Sequence, residues 1–167
     1  MSDEAVSIER AGPSDAGELL TVQRAAYLTE AQLYGDPFLP PLVESLDQIR
    51  AVLAGDAMVL KATLGERVIG AVRGQFSDRT CLVGRLVVVP DLQGQGVGHS
   101  LMNVLETAVT GRADACVLFT GHLSETGLRL YRRLGYTETH RERVAAHLTL
   151  VHMRKPLAPR PGLSPLG

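Results

Sequence analysis

Val87-Val88-Val89-Pro90-Asp91-Leu92-Gln93-Gly94-Gln95-Gly96-Val97-Gly98-His99-Ser100 is the stretch on which the reading of this chain turns. Leu86 and the three valines make a strand end that is apolar on both faces, as a strand central to a sheet requires. Pro90 closes it. Glycines at alternate positions, 94, 96 and 98, then let the backbone turn sharply and come close to a ligand without interference from a Cβ. Leu101, Leu105, Ala108 and Val109 follow at helical spacing, so the glycine run opens a helix that ends near Gly111. Successive N–H groups in such a turn form a concave anion site, and the helix N-terminus adds unpaired donors and partial positive charge. The segment has the physics of a pyrophosphate cradle made of backbone dipoles instead of lysines.

Backbone dipoles matter here because the chain as a whole is nearly neutral. Its 167 residues carry 17 Lys+Arg against 18 Asp+Glu, a formal net charge of -1. That balance argues against nucleic acid as a partner held through bulk charge. No apolar run approaches the roughly 18–20 residues of a membrane span, which argues against a membrane partner. The start, Met1-Ser2-Asp3-Glu4-Ala5, is acidic where a secretory signal is basic and then apolar. Cys81 and Cys116 each sit in an apolar stretch and read as buried thiols of a cytoplasmic protein. The length suits one domain, expected over 1–156, followed by a Pro-rich tail over 157–167 that is extended or disordered.

Outward from the glycine loop, periodicity orders the rest of the chain. Val6 and Ile8 alternate with polar residues in a short first strand. Gly12-Pro13-Ser14-Asp15 starts a helix, with Asp15 and Glu18 spaced as a capping box, and its apolar spacing fades over Tyr27–Leu33. The prolines after Tyr34 cannot continue it. Ser45 and Gln48 form a second capping-box pair ahead of Leu46, Ile49 and Val52, and Gly55 ends that helix. Met58–Leu64, Arg67–Phe76 and Thr80–Val89 read as strands joined by turns, and Ala115–Thr120 as another. A helix over Ser124–Leu134 stops at Gly135, and Tyr136–Glu142 and Ala146–Arg154 alternate as a final pair whose exposed faces, with the tail, offer a surface for a homodimer. The order β-α-α-β-β-β-α-β-α-β-β predicts a mixed α/β (α+β) fold, a mostly antiparallel central sheet of about seven strands flanked by about four helices.

Several ligands compete for the glycine loop. A phosphate loop of nucleotide triphosphatases needs Gly-Lys-Ser/Thr at its end, where this chain has Gly98-His99-Ser100. A dinucleotide fingerprint starting at Gly94 needs glycine at His99, and it follows the first strand of a repeated βαβ unit, whereas several strands precede this loop. What remains is Gln93-x-x-Gly96-x-Gly98. Taken with the strand ending Val88-Val89-Pro90 and with Leu130-Tyr131-Arg132-Arg133-Leu134-Gly135-Tyr136 downstream, it resembles the GCN5-related N-acetyltransferase (GNAT) superfamily, over about Val6 to Lys155.

The resemblance implies an acetyl-CoA-dependent N-acyltransferase acting on a primary amine by direct attack, with acetyl-CoA as co-substrate. It puts Leu86, Val87 and Val88 beside pantetheine and Val88 N–H near the thioester oxygen. Gln93, Gly94, Gln95, Gly96, Val97, Gly98 and His99 make the pyrophosphate loop. Ser124 stands where relatives often carry an asparagine that contacts the cofactor. Tyr131 matches the usual general acid, and a phenol with pKa near 10 holds a proton to give to the departing thiolate. The general base does not carry over: Phe119 stands where some relatives have glutamate. His122, Glu30, Asp36 and relayed water all remain open, and the segment with Tyr27, Glu30, Tyr34 and Asp36 borders the acceptor site in relatives. No metal is implied, since His140, His147 and His152 are not spaced as a ligand set. Plainer readings stand beside these: a packed Tyr131, a loop His122, solvated acids at 30 and 36, and a solvated turn at Arg141-Glu142-Arg143. A CoA-binding module without catalysis is the alternative function, with a dinucleotide-binding oxidoreductase behind it.

Overall fold

The computed structural model describes residues 5–158. Along the chain run β1 (Val6–Arg10), α1 (Ala16–Tyr34), α2 (Pro40–Val43), α3 (Leu46–Ala54), β2 (Met58–Leu64), β3 (Arg67–Ser77), β4 (Thr80–Val88), α4 (Val97–Val109), β5 (Ala115–Gly121), α5 (Glu125–Arg133), β6 (Thr137–Ala145) and β7 (Leu148–Pro156). The strands form one seven-stranded sheet in the order β1-β2-β3-β4-β5-β7-β6. Every neighbouring pair is antiparallel except β4 with β5. This is the mixed α/β architecture expected from the sequence. The expected four helices become five because Pro40 and Pro41 open a single turn of their own, where a fixed φ and a missing donor suit the first helical positions.

Strand parity assigns the layers. Leu101 of α4 packs at Gly70 and Leu105 at Gly74, while the intervening Ala71 and Arg73 line a cavity under α1 and α3. Alternate residues of a strand point to opposite faces, so α1 and α3 cover one face and α4 the other. Leu101, Met102, Leu105 and Val109 make the buried stripe of α4, and Leu20 and Ile49 join α1 to α3 in a smaller cluster. A buried polar link ties α4 to the far side of the sheet: Glu106 accepts from the Tyr136 hydroxyl at 2.9 Å and from Lys155 Nζ at 2.6 Å.

Two helix ends depart from their sequence reading. Asp15 and Glu18 do not form a capping box: Asp15 accepts from Gly12 N–H and Lys61, and Glu18 accepts from Val68 N–H of β3 at 3.0 Å. Donors on the adjoining strands satisfy these carboxylates. Helix α1 also continues past the fading of its apolar spacing, until Gly35 takes a left-handed φ of 62°. Ser45 and Gln48 form the expected reciprocal box. Arg141-Glu142-Arg143 lies within β6, where all three side chains are exposed, not in a turn. Cys81 and Cys116 are free, fully buried and directly opposite in the β4–β5 pair. Most of the expected tail, 159–167, lies outside the described residues; its first residue, Leu157, donates its N–H to Asp114 C=O at 2.8 Å. Among the described residues no helix is long and apolar enough to cross a membrane.

Candidate active site

Strands β4 and β5 pair only through Thr80–Ala115, Cys81–Cys116 and Leu82–Val117. Beyond Leu82, β4 stays with β3 while β5 runs on beside β7 to Gly121, so the sheet opens in a V. A bulge in β4 bends it at this place: Ala71 faces Val87 and Arg73 faces Gly84, so Arg85 and Leu86 together oppose Val72. Val89 N–H donates to Ile69 C=O at 2.8 Å, and alternation along an antiparallel strand turns Val88 N–H to the open side. Of the expected pantetheine-side residues, Leu86 and Val88 are half-buried, and both lie 3.8 Å from where a Cβ on Gly98 would stand. The Val87 side chain is buried in the core, so only its backbone is near the opening.

The loop at the V's mouth is held by its own sequence. Gln93 Nε2 donates back to Val88 C=O at 3.0 Å, which fixes the start of the turn. Gly94 and Gly96 take φ of 79° and 85°, a left-handed conformation that L side chains resist, and Gly96 caps α4. Ser100 N–H is the first to bond back, to Gly96 C=O at 3.0 Å. Among the described residues, the N–H groups of Gly94 through His99 have no acceptor. Val97 departs from expectation in its side chain, which is buried in the core, so it offers the loop a backbone donor only. His99 is exposed and hydrogen-bonds Asn103 through Nδ1 at 3.0 Å. Gln95 is exposed.

Past β5, the C-terminal half of α1 meets the start of α5. Ser124 is buried, and its hydroxyl donates to Glu30 Oε2 at 2.7 Å. Its oxygen then accepts from the Tyr34 hydroxyl at 2.7 Å, and Tyr34 in turn accepts from Leu123 N–H at 3.0 Å. In this arrangement Ser124 and Tyr34, expected at the cofactor and at the acceptor, form a hydrogen-bonded strut from Leu123 to Glu30. Burial raises the Tyr34 phenol despite the hydrogen bonds that oppose it. His122 stacks obliquely on Tyr34 with ring centroids 5.9 Å apart, and its Nδ1 accepts from Thr149 N–H at 3.1 Å. Asp36 lies farther out. It accepts from Phe38 N–H and meets His147 of the β6–β7 turn at 2.9 Å, and the His147 contact lowers its carboxyl.

The motif that ends α5 fixes Tyr131. Tyr136 N–H donates to Tyr131 C=O and Gly135 N–H to Arg132 C=O, a closing pair that requires left-handed backbone at Gly135, whose φ is 100°. Tyr136 is thereby drawn into the core, and its ring meets Tyr131 edge-on at 5.9 Å. Burial, with Tyr27 and Glu30 adding to it, pushes the Tyr131 phenol well above its usual range. Burial likewise raises Tyr27 to about 12, with Arg85 opposing and Glu30 reinforcing the shift. Tyr27, Glu30 and Tyr131 thus share one environment.

Four residues that the sequence reading did not single out lie beneath it. Glu44 takes two hydrogen bonds from Arg73, at 2.9 and 3.0 Å, and one from Gln23 at 3.0 Å, with Arg85 Nε at 3.5 Å. Burial opposes its ionisation, but these donors and charges outweigh that and hold Glu44 at about 2. Gln23, Arg73 and Arg85 also line a cavity of about 20 Å³ under α1 and α3. No spacing in the sequence links positions 23, 44, 73 and 85; the β3–β4 pairing sets Arg73 and Arg85 near each other, and α1 and the residue after α2 bring Gln23 and Glu44 onto them.

Known proteins agree with this geometry. The family model described as acetyltransferase (GNAT) domain matches residues 28–157. No curated protein sequence matches the chain. Among solved structures, the ribosomal-protein-S18-alanine N-acetyltransferase of Escherichia coli is similar with TM-score 0.78 at 16% identity, covering 96% of this chain and 99% of that one. The PaiA N-acetyltransferase of Thermoplasma acidophilum, solved in complex with coenzyme A, gives 0.76 at 16% identity over 89% and 98% of the two chains. YncA of Salmonella typhimurium, solved with its cofactor acetyl-CoA, gives 0.74 at 20% identity over 96% and 99%. At such identities the structural likeness speaks for the fold, and the family match over most of the chain speaks for the lineage: this chain belongs to the GNAT acetyltransferases.

Proposed function

We propose that the protein transfers the acetyl group of acetyl-CoA to a primary amine by direct attack in a ternary complex. The observation that carries this reading is the meeting, at the N-terminus of α4, of a strand edge and a run of backbone N–H groups that have no partner among the described residues. A pantetheine arm, which has the amide spacing to add to a strand edge, suits the first, and a pyrophosphate suits the second.

In the reaction the amine nitrogen attacks the thioester carbon, and Val88 N–H stabilises the oxyanion that forms. The C–S bond then breaks, and the thiolate takes the proton of Tyr131. A phenol raised by burial stays protonated throughout the neutral range, as a proton donor must. For the amine's proton we assign Glu30. Of the candidates, His122 has its Nδ1 lone pair engaged by Thr149, and Asp36 is held by His147 and Phe38. Glu30 bears on Tyr131 and keeps one carboxylate oxygen without a partner among the described residues. Ser124 and Tyr34 position it.

Release of free thiol from acetyl-CoA, measured against a panel of amines, tests the reading. Turnover should fall about 10²–10⁴-fold in Tyr131→Phe, the contribution of a positioned acid, with little change in KM for acetyl-CoA. Full turnover in that variant removes Tyr131 from the mechanism. Tight CoA binding with no thiol release from any amine makes the protein a CoA-binding module instead.

A further inference from the structure

Arg85 is the residue that the proposed chemistry leaves unused and the fold leaves unexplained. It occupies the bulge of β4 with φ 53°, a left-handed backbone that a long side chain adopts against steric strain. Among the described residues the only other non-glycine with positive φ is Asp78, in the turn between β3 and β4, where aspartate is common. Gly84 stands beside Arg85 and leaves the strained conformation to the arginine.

The guanidinium has no hydrogen bond among the described residues. Its Nε is buried without a hydrogen bond and meets Glu44 Oε1 only as an ion pair at 3.5 Å, and the Arg85 side chain is 25% exposed. The nearest carboxylate, Glu44, is already bound by Arg73 and Gln23. Two guanidinium groups thus face one carboxylate, and the surplus positive charge is that of Arg85. It borders the small cavity under α1 and α3, and it lies with Glu30 around Tyr27, which feels both. A fork of N–H donors without an acceptor is suited to a carboxylate, which it binds through two parallel hydrogen bonds.

We propose that Arg85 is a specificity residue that receives a carboxylate of the acceptor, so that the acceptor is an amine of the amino-acid class. The proposal rests on the amine-acetylation reading above. Glu30 faces the nitrogen end of such an acceptor and Arg85 its acid end, and a simple alkylamine leaves the guanidinium with no more than its ion pair to the shared Glu44.

Matched pairs differing only in the carboxylate test this: phenylalanine against phenethylamine, tyrosine against tyramine, lysine against cadaverine. For the native protein, kcat/KM should favour the carboxylated member of the best pair by about 10–100-fold, the range of a charge-assisted hydrogen bond. In Arg85→Gln that ratio should fall toward one, and Arg85→Lys should keep part of it. A native ratio of one or less, or an Arg85→Gln variant that slows both members equally, overturns the proposal. A second arm needs no turnover. With CoA present, the N-acetyl derivatives of the same pairs are tested for raising the melting temperature. A rise confined to the carboxylated derivative and lost in Arg85→Gln supports the anion site even if no amine is acetylated, in which case only the catalytic reading fails. Equal rises, or none, overturn the site. Arg85→Gly, which suits the left-handed backbone, repeats both arms should Arg85→Gln fold poorly.

Discussion

Glu44 is the residue whose protonation the fold depends on most directly. Held at about 2, below the ordinary carboxylate value of 4.5, it is ionised in the folded protein wherever the unfolded chain would have begun to protonate. Its contribution is therefore complete above about pH 4.5 and is lost as pH falls toward 2. Glu44→Gln should cost about 3 kcal/mol at pH 7, the usual penalty for breaking a buried pair from one side. It should also flatten the acid limb of a denaturant-midpoint against pH plot; an unchanged limb would assign the acid sensitivity elsewhere. Gly121 gives a second test at this scale. A Cβ there would overlap the Tyr34 hydroxyl, so Gly121→Ala must break the strut from Leu123 through Tyr34 and Ser124 to Glu30. Overpacking of this kind costs about 1–3 kcal/mol, and thiol release should fall with it. Gly17→Ala is the matched control: nothing lies within 4 Å of its added Cβ, inside helix α1. At the residue scale, the sequence proposes Tyr131 from its motif position and Glu30 only as one of several candidate bases. It did not disclose Arg85, Arg73 or Glu44, whose meaning comes from a bulge and a strand register that periodicity does not encode.

Elements were the most legible scale. Alternation located β2 to within its observed ends, and the Gly135 stop located α5 to within one residue at each end, because caps and period are local properties. The Asp15–Glu18 box misled for the opposite reason: those carboxylates are claimed by Lys61 and Val68, brought in by the sheet. The loop that opens α4 yields a prediction of its own. Gly96→Ala places an L side chain at φ 85°, at a cost of about 1–2 kcal/mol, and rotates the donors that the loop presents. KM for acetyl-CoA should rise at least about tenfold, the equivalent of roughly 1.4 kcal/mol, while circular dichroism stays native. Gly98→Ala lies within the helix and would meet its neighbours at 3.5–3.8 Å, so its effect on KM should be much smaller. Equal effects from both substitutions would count against the loop as the anion cradle.

For the molecule as a whole, the V between β4 and β5 was not legible in advance. Both strands are largely apolar, β4 broken only at Gly84-Arg85, and they part after three residue pairs where β4 carries an extra residue. The V divides the sheet into β1–β4 on one side and β5, β7 and β6 on the other, so a ligand lying in it touches both. Saturation with acetyl-CoA at 100 times its Kd should stabilise the fold by about 2.7 kcal/mol and raise Tm by about 5–10 °C. Deuterium uptake should slow on β4 and on β5 together. Protection confined to one side would mean that the ligand does not span the opening.

The same V also bears on how this sheet avoids clumping with other chains. A row of unpaired strand groups is a template for a foreign strand, and the parted stretch of β4 is such a row. Here it lies inside the sheet, facing β5 across the opening, and not at an outer edge. The outer edges are β1 and β6, and β6 is defended otherwise, by the exposed charges of Glu138, Arg141, Glu142 and Arg143. Widening the gap, as loss of the Tyr34 strut would, should therefore expose a sticky interior edge and make aggregation during expression the first symptom, ahead of any loss of helix.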